Sequence, residues 1–159
     1  RDERHQMAIR KALADGIVDV VASDHAPHTT EEKEKTYPGS PSGLTGVQTI
    51  VPVMLNFVNQ GLIDLKHLVR LMCVNPCRIF SVKGKGGLFV GQDADFTVVD
   101  MDKKQTVTND WIVSQAGWSP YNGHELHGWP VKTIIRGELI VDDGNVLKQD
   151  GRPMEFYSQ

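Results

Sequence analysis

The sequence lacks long apolar runs, a strong excess of charge of one sign, and more than two cysteines. Its apolar runs are only a few residues long, too short for a helix that crosses a bilayer. A formal net charge of −3 gives no electrostatic reason to expect nucleic acid or a membrane surface as a partner. Two cysteines without a secretory leader favour a reducing, cytoplasmic setting. The composition that remains is that of an ordinary globular protein.

The beginning of the chain combines a predicted helix, a short strand and a long loop. Charged and apolar positions alternate at helical spacing over residues 3–15. Residues 17–22, IVDVVA, are β-branched and apolar on both faces, which predicts a strand of a parallel sheet buried under helices. Residues 28–46 are polar and rich in Gly, Pro, Ser and Thr, so they are expected to form a long loop.

Two more helices are predicted after this loop. Apolar residues recur on one face over 46–59, where Pro52 should kink the helix or break its first turns. Asp64 is placed to cap a second helix, which should end before Asn75-Pro76. The apolar face of that helix consists of Leu65, Leu68, Val69 and Met72. Helix, strand, loop and helix in succession are typical of an α/β barrel or an open α/β sheet.

The second half of the chain has the pattern of a small β unit. Residues 95–107 and 131–147 read as strand pairs. Their turns are predicted at Arg136-Gly137-Glu138 and at residues 142–145. The boundary should fall near residues 83–87, which divides the chain into parts 1–83 and 84–159.

The stretch VASDHAPHTTEEKEK (21–35) carries the strongest chemical signal. Asp24 follows the predicted strand directly, and catalytic groups of parallel α/β folds gather at the carboxyl ends of strands. A carboxylate there can ligate a metal and move a proton. Pro27 restricts the turn before His28, whose imidazole N–H can bind an anionic group. The Gly- and Ser-rich residues 39–46 can bring backbone groups close to a substrate.

A simpler interpretation stands beside this one. The same residues are compatible with an Asx-type turn that carries two surface histidines. One carboxylate and two histidines so close together cannot all face one ion, and a catalytic zinc needs about three protein ligands. His25 would then either support Asp24 or serve in packing. The segment TEEKEK (30–35) is typical of a solvated charge run.

Five segments, in order along nearly the whole chain, resemble the carboxyl-terminal part of the dihydroorotases related to hydantoinases and allantoinases, within the amidohydrolase superfamily. They are SDHAPHTTEEK, PSGLTGVQT, NPCRIF, GGLFVGQDADFTVVD and GWSPYNGHELHGWPVKTIIRGELI. The histidine at the fifth position of Asp-His-Ala-Pro-His favours dihydroorotase, because hydantoinases and allantoinases do not usually carry it. The resemblance implies an α/β fold: the last strands and helices of a (β/α)₈ TIM-type barrel, followed by part of a small β-sandwich.

The resemblance also implies an activity and roles for four residues. The reaction would be the reversible hydrolysis of dihydroorotate to N-carbamoyl-aspartate in pyrimidine biosynthesis, with one or two Zn²⁺ ions. Asp24 resembles the aspartate that ligates the metal, takes a proton from the attacking hydroxide and delivers it to the leaving nitrogen. His28 resembles the histidine that binds the substrate carboxylate. Ser42 and Gly43 match the loop whose backbone contacts the pyrimidine ring.

Most of the family's metal site has no counterpart in this sequence. The HxH pair, the bridging lysine, two further metal histidines and the substrate-binding arginine and asparagine would lie before Arg1. We therefore expect a longer polypeptide, or a second chain, to supply the amino-terminal part of the barrel. A homodimer or a complex with aspartate transcarbamoylase is also compatible with the family. Two alternatives remain: a sister enzyme (allantoinase or dihydropyrimidinase) and an inactive scaffold for aspartate transcarbamoylase.

Several other residues that often carry chemistry are expected to be structural. His124 and His127, in GHELHG, should lie in an irregular loop and bind no metal. Cys73 and Cys77 are expected to be small buried residues rather than a zinc or redox pair. Large aromatic residues are expected to pack the β unit, and these are Trp111, Trp118 and Trp129.

Overall fold

The computed structural model describes residues 2–149 and 151–157 and consists of a helical part followed by an antiparallel sheet. The α-helices are α1 (Glu3–Ala14), α2 (Thr30–Lys33), α3 (Ile50–Asn59), α4 (Leu65–Val69) and α5 (Asn75–Ile79), with a π-helical turn at Arg70–Val74 and a 3₁₀ turn at Asn109–Trp111. The strands are β1 (Phe96–Thr106), β2 (Glu125–Ile135), β3 (Glu138–Asp142) and β4 (Asn145–Val146). None of the helices formed by the described residues has the length and apolar character that a bilayer crossing requires.

The predicted first helix is confirmed as α1. The side chain of Asp2 caps it by accepting a hydrogen bond from the backbone N–H of His5 at 3.2 Å. The helix stops where the sequence changes to Asp15-Gly16, and Gly16 adopts a φ of +74°. Of its side chains only Leu13 is fully buried, so this helix contributes one residue to the core.

The predicted strand at 17–22 is wrong for the described residues. The segment follows α1 but pairs with no strand, and a strand exists only through hydrogen bonds to a neighbouring strand. Its polar contacts run to the π-helical turn and to α5: Val21 N–H donates to the Leu71 carbonyl at 3.4 Å, and the side-chain amide of Asn75 donates to the Asp19 carbonyl at 2.8 Å. Ile17 remains 72% exposed, contrary to the burial on both faces that its pattern predicts.

The predicted helix at 46–59 begins later, as α3 at Ile50, so that Pro52 lies in its first turn rather than in its interior. Pro52 is the third helical residue, and the first turn of a helix needs no N–H donor for its own hydrogen bonds. The proline ring is fully buried there. Pro52, which would be unfavourable in the interior of a helix, is therefore tolerated in the first turn and packs in the core there.

The helix capped by Asp64 continues past its predicted end. Asp64 accepts a hydrogen bond from His67 N–H at 2.6 Å, which confirms the cap. The chain remains helical through Pro76 because a π-helical turn precedes it, with Asn75 N–H bonded to the Arg70 carbonyl. The wider turn accommodates a residue that has no N–H of its own. Leu71 is fully buried here, whereas Met72, which the sequence pattern placed on the apolar face, is only half-buried.

The sheet has the strand order β1-β2-β3-β4, and every neighbouring pair is antiparallel. Both predicted turns are confirmed. Arg136-Gly137 and Asp143-Gly144 are two-residue turns with φ positive at both positions, the geometry that matches the twist of a tight hairpin. The predicted loop around GHELHG is only partly correct, because β2 begins at Glu125 and contains His127.

Salt bridges of Lys85 tie together the segment before β1, and a hydrogen bond joins that segment to the β2–β3 turn. The Lys85 ammonium lies 2.7 Å from an Asp93 carboxylate oxygen and 2.5 Å from one of Asp95, while Asp95 also accepts the backbone N–H of Arg136 at 2.8 Å. The hydrogen bonds that its ammonium donates to Asp93 and Asp95 raise the pKa of Lys85. Partial desolvation opposes ionisation of Asp95, but the Lys85 and Arg136 hydrogen bonds and charges outweigh it and lower the pKa of that carboxyl.

Helix α3 joins the helical part to the sheet. Its Asn56 side chain accepts the His127 N–H at 3.1 Å, and the Asn59 amide donates to the His127 carbonyl at 2.7 Å. The backbone approaches closely at Gly128, where an added Cβ would lie 2.9 Å from the Leu55 Cβ. Two buried clusters flank this contact: Leu13, Met54, Leu55, Ile63, Leu68 and Leu71 on the helical side, and Val107, Leu126 and Trp129 on the sheet side.

The expected burial of the cysteines is wrong: Cys73 is exposed and Cys77 is only half-buried. Cys73 lies in the π-helical turn and Cys77 in α5, near the fully buried Leu71 along the chain but not in the core with it. The tryptophan prediction is partly correct. Trp129 is buried and packs edge-on against Trp111, with ring centroids 5.2 Å apart.

We predict that Gly128→Ala destabilises the protein more than Gly123→Ala. Both glycines have positive φ, which costs alanine about 1–2 kcal/mol. Only at Gly128 does the new methyl group also meet α3, which adds about 1–3 kcal/mol of overpacking. Urea denaturation of the two variants measures the difference in the free energy of unfolding. Equal losses would show that α3 does not press on β2 at this point.

Candidate active site

Two loop segments lie side by side and form the candidate site. His25 and Leu44 form a parallel bridge, and Ala26 N–H donates to the Leu44 carbonyl at 3.0 Å. Gly43 has a φ of +115°, and a Cβ there would come within 2.7 Å of the Ala26 carbonyl oxygen. A Cβ on Gly46 would approach the Ser23 carbonyl oxygen to 2.8 Å. The glycines of the second segment therefore allow a backbone contact that no other residue permits.

Asp24 sits at a sharp change of direction in the first segment. Its φ is +44°, a left-handed conformation that aspartate and asparagine tolerate better than most residues. The residue is exposed, and its carboxylate makes no hydrogen bond or ion pair with the rest of the described chain. Both carboxylate oxygens are therefore accessible to a metal ion or to a reacting group.

His25 serves the backbone contact between the two segments. Its Nδ1 accepts hydrogen bonds from Gly46 N–H at 3.1 Å and from Val47 N–H at 3.3 Å. Among the described residues, the hydrogen bonds of the ring go to the second segment and none goes to Asp24.

His28 is half-buried at the start of α2 and is held from two sides. Its Nδ1 lies 3.4 Å from Glu32 Oε2, a contact longer than an ordinary hydrogen bond. Its backbone carbonyl accepts the indole N–H of Trp118 at 2.7 Å. Trp118 thus packs against the site loop, which corrects the expectation that all three tryptophans serve only the β unit.

The predicted solvated run at 30–35 contains α2, whose charged residues are engaged. Thr29 and Glu32 form a capping box: Thr29 Oγ1 accepts the Glu32 N–H at 3.3 Å, and Glu32 Oε2 accepts the Thr29 N–H at 3.0 Å. The Lys33 ammonium donates to the carbonyls of Pro41 at 2.8 Å and Gly43 at 3.2 Å. The spacing Thr-x-x-Glu was the available sequence signal for this helix.

Ser42 lies exposed between the two carbonyls that Lys33 holds. The four predicted site residues therefore belong to one connected surface. Asp24 is part of the first segment, His28 ends it, and Ser42 with Gly43 belongs to the segment beside it. A cavity of about 260 Å³ lies beside the second segment and is lined by His25, residues 45–49 and residues 112–114.

Hydrogen bonds to the connection between β1 and β2 hold the second segment in place. Thr45 Oγ1 donates to the Trp118 carbonyl at 2.6 Å, and the Gln48 amide donates to the Trp111 carbonyl at 2.7 Å. Thr45 is buried. The connection between β1 and β2 thus supports the loop that carries Ser42 and Gly43.

A catalytic metal would find one ligand in this part of the molecule. Within residues 2–149 and 151–157, no group of three or more His, Cys, Asp and Glu side chains is arranged to hold a metal ion. His124 and His127 are included in that statement. Asp24, exposed and with free oxygens, fits as one ligand, whereas His25 has already committed its Nδ1. A zinc ion needs about three protein ligands, so the described residues supply only a part of such a site.

Comparison with known proteins decides the family. The family model described as "Amidohydrolase family" matches residues 1–140. The chain belongs to the amidohydrolase family. The match includes Asp24, His28 and the loop with Ser42 and Gly43.

The amidohydrolase chain is similar over most of its length to curated dihydroorotases. It is 42% identical to dihydroorotase of Pyrococcus furiosus over 153 residues, which cover 96% of this chain and 34% of the relative. It is 36% identical to dihydroorotase of Bacillus subtilis, with 93% of this chain and 35% of the relative covered. The chain therefore spans about a third of the length of these curated relatives.

Solved structures confirm the predicted α/β fold class. The amidohydrolase chain superposes on L-hydantoinase (dihydropyrimidinase) from Arthrobacter aurescens with a TM-score of 0.89 and 34% identity, covering 94% of this chain and 34% of that one. D-hydantoinase (dihydropyrimidinase) from Thermus sp. gives a TM-score of 0.85 with 28% identity and the same coverage. The chain has the fold of the last strands and helices of a TIM-type barrel followed by part of a β-sandwich. Residues 17–22 form no strand among the described residues.

We predict that acid weakens the capping box of α2 in the amidohydrolase chain. The Thr29 N–H bond and the neighbouring His28 hold the pKa of the Glu32 carboxyl below its ordinary value of 4.5. A lowered folded-state pKa stabilises the fold above the unfolded value and loses that contribution as the pH falls through the folded value. The amide resonances of Thr29 and Glu32 should therefore shift below pH 4.5 in NMR titrations. Glutamine at position 32 keeps the cap but does not titrate. If the same amide resonances still shifted with pH in Glu32→Gln, the Glu32 carboxyl would not be the titrating group.

Proposed function

We propose that this chain is the carboxyl-terminal part of a dihydroorotase, which hydrolyses dihydroorotate reversibly to N-carbamoyl-aspartate in pyrimidine biosynthesis. One observation carries the proposal. The segment with Asp24 and His28 lies directly against the loop with Ser42 and Gly43, within a chain that is 42% identical to a curated dihydroorotase. A proton carrier, an anion-binding imidazole and a backbone surface for a planar ring are thus neighbours.

Asp24 would ligate the metal and transfer the proton of the reaction. When bound, Zn²⁺ supplies a water of lowered pKa and polarises the ring amide carbonyl. As oxygen attacks the carbonyl carbon, the Asp24 carboxylate accepts the proton of the attacking water. The ring C–N bond then breaks, and Asp24 delivers that proton to the leaving nitrogen. Its accessible oxygens and its left-handed backbone are what support this role.

His28, Ser42 and Gly43 would bind the substrate. Glu32 faces Nδ1 of His28, so Nε2 is the nitrogen available to a substrate carboxylate. Ser42 and Gly43 would present backbone groups to the pyrimidine ring, since the exposed backbone here is fixed by Lys33 and by the contact with Ala26. The binding chemistry thus separates into an ionic contact and a neutral backbone contact.

The rest of the catalytic machinery would come from the amino-terminal part of the barrel. We propose that residues 1–83 complete such a barrel and that residues 84–159 form part of the β-sandwich. The further metal ligands, whether for one ion or for two, would lie outside this chain. A homodimer or a complex with aspartate transcarbamoylase remains part of this proposal.

Two alternatives have a specific basis. The fold is equally that of L-hydantoinase (dihydropyrimidinase), so a cyclic amidohydrolase for uncharged rings, such as a dihydropyrimidinase or an allantoinase, is the second candidate. An inactive scaffold for aspartate transcarbamoylase is the third. The retained Asp24 and His28 favour an enzyme, because a scaffold has no chemical need of them.

We predict that Asp24→Asn abolishes most turnover in the full-length enzyme while the fold survives. Asparagine tolerates the left-handed backbone, so the variant removes the charge and the proton acceptor without straining the turn. The loss in kcat should be on the order of 100-fold or more. Dihydroorotate hydrolysis and circular dichroism of the same preparation provide the measurement. Near-normal turnover would exclude Asp24 as the proton carrier.

We predict that His28→Ala weakens binding of dihydroorotate and leaves uncharged rings unaffected. The imidazole is proposed to contact only the carboxylate, and loss of a hydrogen bond to a charged group should raise KM about tenfold or more. A panel of dihydroorotate, dihydrouracil and allantoin with the full-length enzyme separates the candidates. Preference of the unaltered enzyme for an uncharged ring would favour the sister enzymes, and absence of turnover on all three would favour the scaffold.

A further inference from the structure

The one-turn helix α2 contacts both substrate-binding elements through adjacent residues. Glu32 faces the imidazole of His28, and Lys33 reaches the loop that carries Ser42. Neither residue touches the substrate in the reaction as proposed above. Their charges nevertheless lie between the two elements whose relative position decides how a substrate fits.

Lys33 holds the backbone on both sides of Ser42. Its ammonium donates to the carbonyl before Ser42, that of Pro41, and to the carbonyl of the next residue, Gly43. Its own carbonyl accepts the Ser40 hydroxyl at 2.8 Å. Hydrogen bonds from a charged donor are stronger than neutral ones, and these are partly shielded from water. The loop therefore has three attachments to one lysine.

Glu32 holds the imidazole of His28 through an atom that also caps the helix. Oε2 accepts the Thr29 N–H at 3.0 Å and lies 3.4 Å from His28 Nδ1. The cap fixes the carboxylate, which can accept the Nδ1–H of the ring, and a substrate carboxylate would then accept the second N–H, on Nε2 of the protonated imidazole. Trp118 secures the backbone of the same histidine. The ring is thus held at one nitrogen, with the other left for a ligand.

We propose that Glu32 and Lys33 are positioning residues for substrate binding, with α2 setting the His28 imidazole against the Ser42-Gly43 backbone. This inference rests on the proposed function. Lys33 acts through the loop backbone, and Glu32 acts through His28. The two charges are adjacent on a helix of a single turn, so a displacement of α2 moves both binding elements together.

Glu32→Gln tests the first contact, because glutamine preserves the helix cap and removes the charge beside His28. In the full-length enzyme, KM for dihydroorotate should rise about threefold to tenfold with kcat nearly unchanged. On a His28→Ala background the same substitution should add nothing, since its effect passes through the imidazole. Glu31→Gln is the matched control, as Glu31 is exposed on the same turn.

Lys33→Met tests the second contact, because methionine keeps much of the aliphatic chain and loses the donor. Hydrogen exchange of the Ala26 and Gly46 amides, which bond the first segment and the loop to each other, should accelerate about tenfold or more, and KM should rise by a similar factor. Lys33→Arg should restore part of both effects, since a guanidinium can also donate to two carbonyls. Lys35→Met, at an exposed position just beyond α2, should alter neither.

The outcomes separate this inference from the proposed function. Unchanged KM and unchanged hydrogen exchange in Lys33→Met, in an enzyme that hydrolyses dihydroorotate, would overturn the role of Lys33. An equal rise of KM from Glu32→Gln with and without His28 would overturn the role of Glu32. Faster loop exchange in an enzyme that does not hydrolyse dihydroorotate would reject the substrate and, with it, the role of these residues in binding that substrate.

Discussion

The close backbone contact between residues 23–26 and residues 43–46 is the constraint on which the candidate site depends. Two glycines make it possible, because a Cβ at Gly43 or Gly46 would come within 2.8 Å of a carbonyl oxygen opposite. Nδ1 of His25 then satisfies two backbone N–H groups of the second segment, which would otherwise lose hydrogen bonds on burial. Asp24 is adjacent to this backbone contact, and its left-handed φ is part of the same turn. The exposed side chains of the site are thus carried by two backbone segments that are bonded to each other.

Tertiary contacts extend this constraint to the β half of the chain. Trp118 donates to the His28 carbonyl and accepts from Thr45 through its own carbonyl, so one residue of the β1–β2 connection touches both site segments. The connection is held in turn by β2, which packs on α3 at Gly128. The sheet is therefore more than an appended unit. Disturbing β2 is expected to reach the site through this chain of contacts, although no sheet residue lies on the candidate surface.

Local signals in the sequence predict the structure well, and non-local ones do not. The caps by Asp2 and Asp64 and the turns at Arg136-Gly137 and Asp143-Gly144 depend only on neighbouring residues. Residues 17–22 have a strand composition, but strand formation requires a partner that pattern alone cannot provide. Among the candidate residues, Asp24, His28, Ser42 and Gly43 are predicted from motif and resemblance. Trp118, ninety residues from His28, and Lys33, whose bonds go to a loop, had no signal of comparable strength. Both donate to backbone carbonyls. Because every residue has a backbone carbonyl, the sequence does not indicate which one is bound.

The fold of this protein does not by itself decide its substrate. The chain superposes on a hydantoinase with a TM-score of 0.89, while its curated relatives include dihydroorotases at 34–42% identity. A shared fold does not determine the ligand, which depends on side chains at the site. Dihydroorotate differs from an uncharged ring by its carboxylate, so the discriminating group must be one that binds an anion. On the proposed function, that group is His28, and the backbone of Ser42 and Gly43 serves the ring that all these substrates share. The position of one imidazole, fixed by Glu32 and Trp118, would then account for specificity within a fold that accepts several cyclic amides.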